Sequence, residues 1–254
     1  MIYICIPAYN EAATVGVLLW KIRQVMSEFP RDYELLVLND ASTDQTEDVL
    51  APYLRVLPLT VLRSEQRQGY AASLERLIRE AVSLASHPRR DVVVTLQADF
   101  SDPPEDIPAL LKRIEGGADV VEGTGEAAAA PTPWGLRWTR RVLPWILRRA
   151  PLPEGVRDPV SGFRAYRVAV LKKALSERNG DPLLSKEGWA ANVELLLAIA
   201  PFTRRVEGAE TGSRHPRKQR ETRFRPWETL VQVWDVSRSP DRRPPEVTTP
   251  DVAG

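Results

Sequence analysis

Short apolar runs alternate with helix-period stretches through the first half of the chain. Ile2-Tyr3-Ile4-Cys5-Ile6 reads as a buried strand, and Pro7 to Glu11 breaks it. Ala12 to Glu28 then carries Val15, Leu18, Leu19, Ile22 and Val25 at helical spacing. Leu35 to Leu38 is a second strand, ending at Asn39-Asp40, with Ser42 or Thr43 placed to cap the helix behind it. Leu59 to Leu62 is a third strand. Gly69 to Ser73 opens a helix through Leu74, Leu77, Ile78, Ala81 and Leu84. Val92 to Leu96 is a short apolar run rich in β-branched residues, as in a strand buried on both faces. Four strand–helix cycles of this kind predict an α/β fold with a mostly parallel sheet and right-handed crossovers.

Three of these strands end in polar residues: Pro7 to Glu11, Asn39-Asp40, and Gln97-Ala98-Asp99. Their common edge is where an α/β sheet binds ligands. Asp99 and Asp102 offer oxygens to a hard divalent cation; the competing reading is that they cap the helix begun at Pro103-Pro104. Neither G-x-G-x-x-G nor G-x-x-x-x-G-K-[ST] occurs, which disfavours a dinucleotide enzyme and a P-loop NTPase.

The second half is less periodic. After Val120 to Thr124 comes an alanine-rich hinge, then 134–149 with three tryptophans, five arginines and no acid. Tryptophan beside arginine on amphipathic helices split at Pro144 suits a membrane headgroup layer, against a helical pair with Trp in the core. Asp158 to Tyr166 reads as a loop into a strand, and Val168 to Ser176 as a helix. Trp189 to Ala200 is a further helix, with Val193, Leu196, Leu197 and Ala200 on one face and Glu194 off it, as a site or surface residue. Residues 204–225 hold eight Arg or Lys against three Glu. Such a loop can close over a leaving diphosphate or be a solvated charge run; with Phe224 as its one aromatic, nucleic acid is disfavoured. Pro226 to Ser237 is expected to be a last helix through Trp227, Leu230, Val231 and Trp234, and 239–254 a disordered tail.

Bulk properties narrow the classes. The 254 residues carry a formal net charge of +1, which favours no partner. One cysteine excludes a disulfide framework, and two histidines make a histidine metal site improbable. Cys5 lies in an apolar run and reads as packing. No run approaches the about 18 apolar residues of a membrane span, and the N-terminus lacks a signal peptide's basic region. A cytoplasmic protein is expected, peripheral at the cytoplasmic face of the membrane.

Four motifs in order, Ile6-Pro7-Ala8-Tyr9-Asn10-Glu11, Val37 to Asp44, Gln97 to Glu105 and Asp158 to Tyr166, resemble family 2 glycosyltransferases of the GT-A fold. The last resembles in particular the polyprenyl-phosphate branch, of the dolichol-phosphate mannosyltransferase type. The resemblance implies a Rossmann-like αβα sandwich over 1–238, with 134–149 interfacial and 211–225 a basic acceptor or diphosphate loop. It implies that Pro7, Tyr9, Glu11, Asp40, Gln97 and Ala98 bind a GDP- or UDP-linked sugar. On their own, Tyr9 and Glu11 read as a turn aromatic and a first-turn acid. Asp99 matches the last aspartate of the family's D-x-D metal motif, for Mg2+ or Mn2+. Gln97 stands where the first aspartate usually stands; its amide can accept a hydrogen bond from a metal-bound water but adds no charge, and Asp102 can compensate. Asn39 replaces an acid often found there, and Arg67-Gln68 precede Gly69 where the family often has an Asn.

Asp158 is expected near the acceptor and Arg164 near phosphate, both counted with Asp99 as catalytic. Arg137, Arg141, Arg217 and Lys218 are candidates for acceptor and phosphate binding. A polyprenyl phosphate is already an anion, so it needs positioning arginines rather than a strong base; the resemblance implies inversion. Two alternatives remain: a hydroxyl-acceptor transferase with Asp158 as base, and a non-catalytic sugar-nucleotide-binding subunit, suggested by Gln97.

Overall fold

A computed structural model describes residues 1–125, 141–143, 145–147, 150–211 and 230–235. Strands β1 (Ile2–Ala8), β2 (Tyr33–Asn39), β3 (Leu59–Arg63), β4 (Val92–Thr95), β5 (Val120–Gly125), β6 (Arg164–Arg167) and β7 (Val206–Thr211) form one sheet. Its order is β3-β2-β1-β4-β6-β5-β7. β1 lies parallel to β2, from Ile2↔Tyr33 to Ala8↔Asn39, and parallel to β4, from Ile2↔Val92 to Cys5↔Thr95. β6 runs antiparallel to β4 and β5, so the expected mostly parallel sheet holds with one reversed strand.

The pleat sends alternate side chains to opposite faces. Ile2, Ile4 and Ile6 pack with Leu35, Val37, Val92 and Val94 under helices α1 (Val15–Met26) and α4 (Ile107–Glu115). Tyr3, Cys5, Leu36, Leu38 and Val93 meet the helices of the other face. These are α3 (Tyr70–Leu84), α5 (Val168–Glu177) and α6 (Trp189–Ile199). Cys5 is fully buried, and burial pushes its thiol far up, so it is packing as expected. A third cluster joins Leu143 and Leu147 to Val160, Val193 and Leu197, with Leu230 and Val233 from the helical residues 230–235.

The structure corrects four local expectations. Pro7 belongs to β1 rather than to a break. Cys5 O accepts from Leu96 N and Ala8 O from Asp40 N, so Pro7 turns its missing donor toward β4, beyond the last paired residue of that strand. Ser42 and Thr43 do not cap the next helix, α2 (Thr46–Leu50): Ser42 Oγ accepts from Asn10 N, and Thr46 N donates to Asp44. Glu194 is not on the surface; it is fully buried and its carboxylate takes Ser185 N and Lys186 N at 2.7 and 2.8 Å. In 230–235 the buried pair is Leu230 and Val233, while Val231 and Trp234 are exposed.

Ile4, fully buried at the centre of β1, tests how much the sheet depends on this strand. Ile4→Ala is expected to destabilise by about 2–5 kcal/mol, read as a lower urea midpoint at constant slope. A loss below about 1 kcal/mol would show that the site collapses around the cavity.

Candidate active site

The loops after β1, β2 and β4 meet at one edge of the sheet. Three of the four non-glycine residues with positive φ among the described residues sit there: Asn10 at 56°, Ala41 at 54° and Phe100 at 60°. Such strain persists where the surroundings over-determine it, and it collects at functional sites. Side chains tie the first two loops together. Thr43 N donates to Asn10 Oδ1 at 2.7 Å, Glu11 N to Thr46 Oγ1 at 2.8 Å, and Ala12 N to Asp44 Oδ2 at 3.1 Å.

Asp40 is nearly buried, and each of its carboxylate oxygens takes one backbone N–H, from Gln68 and Gly69, both at 2.8 Å. It therefore pins the turn before α3. Gly69 has φ 93°, and a Cβ there would meet the Glu187 carboxylate at 2.6 Å. That turn carries Arg67, whose guanidinium lies 4.1 Å from the centroid of the Tyr9 ring. Glu11 accepts from Thr14 Oγ1 at 2.8 Å. Asn39 donates to Glu47 at 2.8 Å and accepts from Ser42 N at 3.1 Å. A carboxylate could not make the first of these bonds.

Beyond β4, Asp102 Oδ2 accepts from Gln97 N and Asp99 Oδ1 from Ser101 N, both at 2.9 Å. Neither acid caps a helix, because Pro103 is the cap of the short turn of helix at Pro104–Asp106. Burial pushes the Asp102 carboxyl up to about 7, opposed by the Gln97 N–H and reinforced by the negative charge of Asp99. Ala98, between them, is buried against the α1 side of the sheet. Among the described residues no group of three His, Cys, Asp or Glu side chains is placed to hold a metal.

The segment from Asp158 to Phe163 forms the opposite wall and is held by buried polar side chains. Glu122 accepts from Arg157 N and Asp158 N, and Arg164 Nη2 donates to Asp158 O. Asn192 Nδ2 donates to Val160 O at 3.0 Å, Tyr70 Oη to Asn192 Oδ1 at 3.0 Å, and Thr95 Oγ1 to Gly162 O at 2.6 Å. Tyr70 stands between the walls. Burial raises its phenol, and the charges of Tyr166 and Asp102 add to that.

Arg164 departs from expectation. It has no exposed surface, so in this arrangement it cannot touch a phosphate. Arg141 is exposed, apart from these loops in the sequence. Arg137, Arg217 and Lys218 lie outside the described residues. Sequence reasoning missed Glu122, Thr95, Tyr70 and Asn192. The available signals were a charge ending the apolar run Val120-Val121 and an amide inside the apolar helix at Trp189.

Residues 3–175 match the family described as Glycosyl transferase family 2. The chain belongs to that family. An undecaprenyl-phosphate 4-deoxy-4-formamido-L-arabinose transferase of Pseudomonas aeruginosa is 30% identical over 70% of this chain and 50% of its own length. The dolichol-phosphate mannosyltransferase of Pyrococcus furiosus is 28% identical over 66% and 47%. This family 2 chain thus spans about half the length of the curated relatives it matches. Among solved structures it resembles glucosyl-3-phosphoglycerate synthase from Mycobacterium tuberculosis, in complex with Mn2+ and uridine diphosphate. The TM-score is 0.62 at 22% identity, covering 93% of this chain and 78% of that one.

Asp40→Ala leaves the Gln68 and Gly69 amides without their acceptor. It is expected to cost about 1.5–3 kcal/mol per lost charged hydrogen bond before relaxation, seen in urea unfolding, and to open the Arg67 turn to limited trypsin cleavage. Unchanged stability and cleavage would show that water replaces the carboxylate.

Proposed function

We propose that this protein transfers a sugar from a nucleoside-diphosphate sugar to a polyprenyl phosphate at a membrane surface. The observation that carries the reading is the meeting of the ends of β1, β2 and β4, with Asp40 behind β2 and Asp99 and Asp102 behind β4, near an Asp158 segment held by buried side chains, in a family 2 chain. The curated relatives that carry a polyprenyl phosphate in their names support the acceptor class.

On this reading Pro7, Tyr9, Glu11 and Asp40 receive the base and ribose, and the loop from Gln97 to Asp99 lies against the diphosphate. The anomeric C–O bond breaks with its electron pair passing to the diphosphate. An oxygen of the acceptor phosphate bonds to the opposite face of that carbon, inverting it. The acceptor is already anionic, so no base has to remove a proton, and the cationic side chains Arg137, Arg141, Arg217 and Lys218 would hold the two phosphates. Asp158 faces the acceptor as a positioning residue.

The donor set suits a hard divalent cation. Asp99 and Asp102 are close enough for the charge of one to raise the pKa of the other, a repulsion that Mg2+ or Mn2+ relieves. Asp99 would bind directly, with Asp102 beside it and Gln97 reached through water. Such an ion offsets charge on the leaving diphosphate. Asp99→Asn is expected to lower turnover by at least about a hundredfold, as does excess EDTA, by analogy with removal of one electrostatic stabiliser. The assay is mass spectrometry of products from a prenyl phosphate and a set of GDP- and UDP-sugars. Full turnover by the variant or in EDTA refutes the metal, and a glycosylated hydroxyl acceptor refutes the lipid phosphate.

Membrane contact rests on the third cluster. No helix among the described residues is long and apolar enough to cross a bilayer. Leu143 and Leu147 face the protein while Trp145 is 66% exposed and stacked on Trp234, ring centroids 6.2 Å apart. The helix therefore packs on the domain and still presents tryptophan outward. Trp138 lies outside the described residues. The pair Trp145→Ala and Trp234→Ala is expected to weaken sedimentation with anionic liposomes roughly tenfold, for about 1.5 kcal/mol of lost apolar burial. Equal binding by the variant refutes this surface.

A further inference from the structure

Glu122 and Arg164 face one another in register across β5 and β6, and both are fully buried. Burying two opposite charges is a poor way to stabilise a sheet, since apolar residues of like volume usually do as well or better. Here the arrangement is less favourable still: Arg164 Nε and Nη1 are buried without a hydrogen-bond partner. Beside a contact of Arg164 with the Tyr166 phenol, the side-chain bonds of the two residues converge on one segment. Glu122 accepts from the N–H groups of Arg157 and Asp158, and Arg164 Nη2 donates to the carbonyl of Asp158. The backbone N–H and C=O of Asp158 are thus held by two side chains of opposite charge. Gly155, just before, has φ 96°, and a Cβ there would lie 2.8 Å from Val206 O, so the chain enters the grip through a corner closed to other residues.

We propose that Glu122 and Arg164 are the positioning pair of the acceptor wall, fixing the direction in which Asp158 presents its carboxylate to the acceptor. This rests on the reading of Asp158 given above. Glu122 and Arg164 touch neither substrate; they act through the peptide they hold. Arg164, buried as it is, then serves the site by orienting Asp158 rather than by binding phosphate.

The test combines one structural and two kinetic measurements on the full chain. Glu122→Gln keeps the shape but loses the charge and one acceptor. Amide hydrogen exchange at Arg157 and Asp158 is expected to accelerate at least tenfold, with the amides of β1 and β2 unchanged. With farnesyl phosphate as acceptor, kcat/KM should fall ten- to a hundredfold, while the donor nucleotide's Kd by calorimetry stays within twofold. In an Asp158→Ala background the same substitution should cause no further loss, because its effect passes through Asp158. Losses that multiply in that background, or that fall equally on donor binding, mean a merely structural role and overturn the proposal. If Asp158→Ala turns over normally, the acceptor role of Asp158 is wrong and the proposal falls with it. If Asp158→Ala is impaired and Glu122→Gln is not, only the grip is wrong. Should Glu122→Gln fail to fold, the double variant Glu122→Leu with Arg164→Met removes both buried charges and should fold. It is expected to show the same selective loss toward the acceptor, and wild-type acceptor kinetics in it overturn the proposal.

Discussion

The structure depends on β1 having a parallel neighbour on each side. Because the chain steps from β1 outward to β2 and β3, and then back across to β4, the carboxyl ends of β1, β2 and β4 open at one edge. That crossover is the topological switch point at which α/β sheets leave a crevice. In the loops that line the crevice, Asn10, Ala41 and Phe100 sit in left-handed backbone. Each such residue costs on the order of 1–3 kcal/mol, which the two apolar layers beneath have to offset. Asn10 shows how the strain is held: its backbone N–H and its side chain both bind the Ser42-Thr43 turn, so neither loop can relax without the other.

The second half of the chain is tied to this frame partly through carboxylates. Buried Glu75 of α3 accepts from Leu183 N and Leu184 N, exposed Glu187 accepts from Tyr70 N, and within the second half buried Glu194 accepts from Ser185 N and Lys186 N. Glu75 and Glu194 satisfy backbone donors of a segment with no helix or strand of its own. The Glu187 bond reaches the first residue of α3, beside the Gly69 corner that Asp40 holds. The Asp40–Gly69 corner, the connecting segment and the Asp158–Phe163 segment are thus joined through hydrogen bonds of Gly69, Tyr70 and Asn192.

The parts that were readable from sequence are those where one physical signal dominates. Val92 to Thr95 and Ile2 to Ile6 are apolar without interruption, so only a strand covered on both faces suits them, and the polar residues after them mark the crevice. β6 is different. Its four residues are Arg164-Ala165-Tyr166-Arg167, and nothing in that string announces a central strand buried between β4 and β5. Its burial is possible because Glu122 stands opposite Arg164, and that cross-strand partner lies far away in sequence. Ser42 and Thr43 have the chemistry of caps but spend it on Asn10, a choice set by tertiary contact. Glu194 looked out of place in an apolar helix because its partners come from a loop.

The same electrostatics bear on Gln97, the residue least like its family's pattern. Asp102 lies beside Asp99, and its carboxyl already titrates near neutrality through burial and that neighbour's charge. A third carboxylate at 97 would add a further like charge beside Asp99 and Asp102. The amide avoids this, and the backbone N–H of Gln97 meanwhile donates to Asp102, lowering the cost of ionising it. The position thus supplies a backbone donor in place of a side-chain charge. The crevice keeps two acids at the edge of the sheet, with one backbone donor between them.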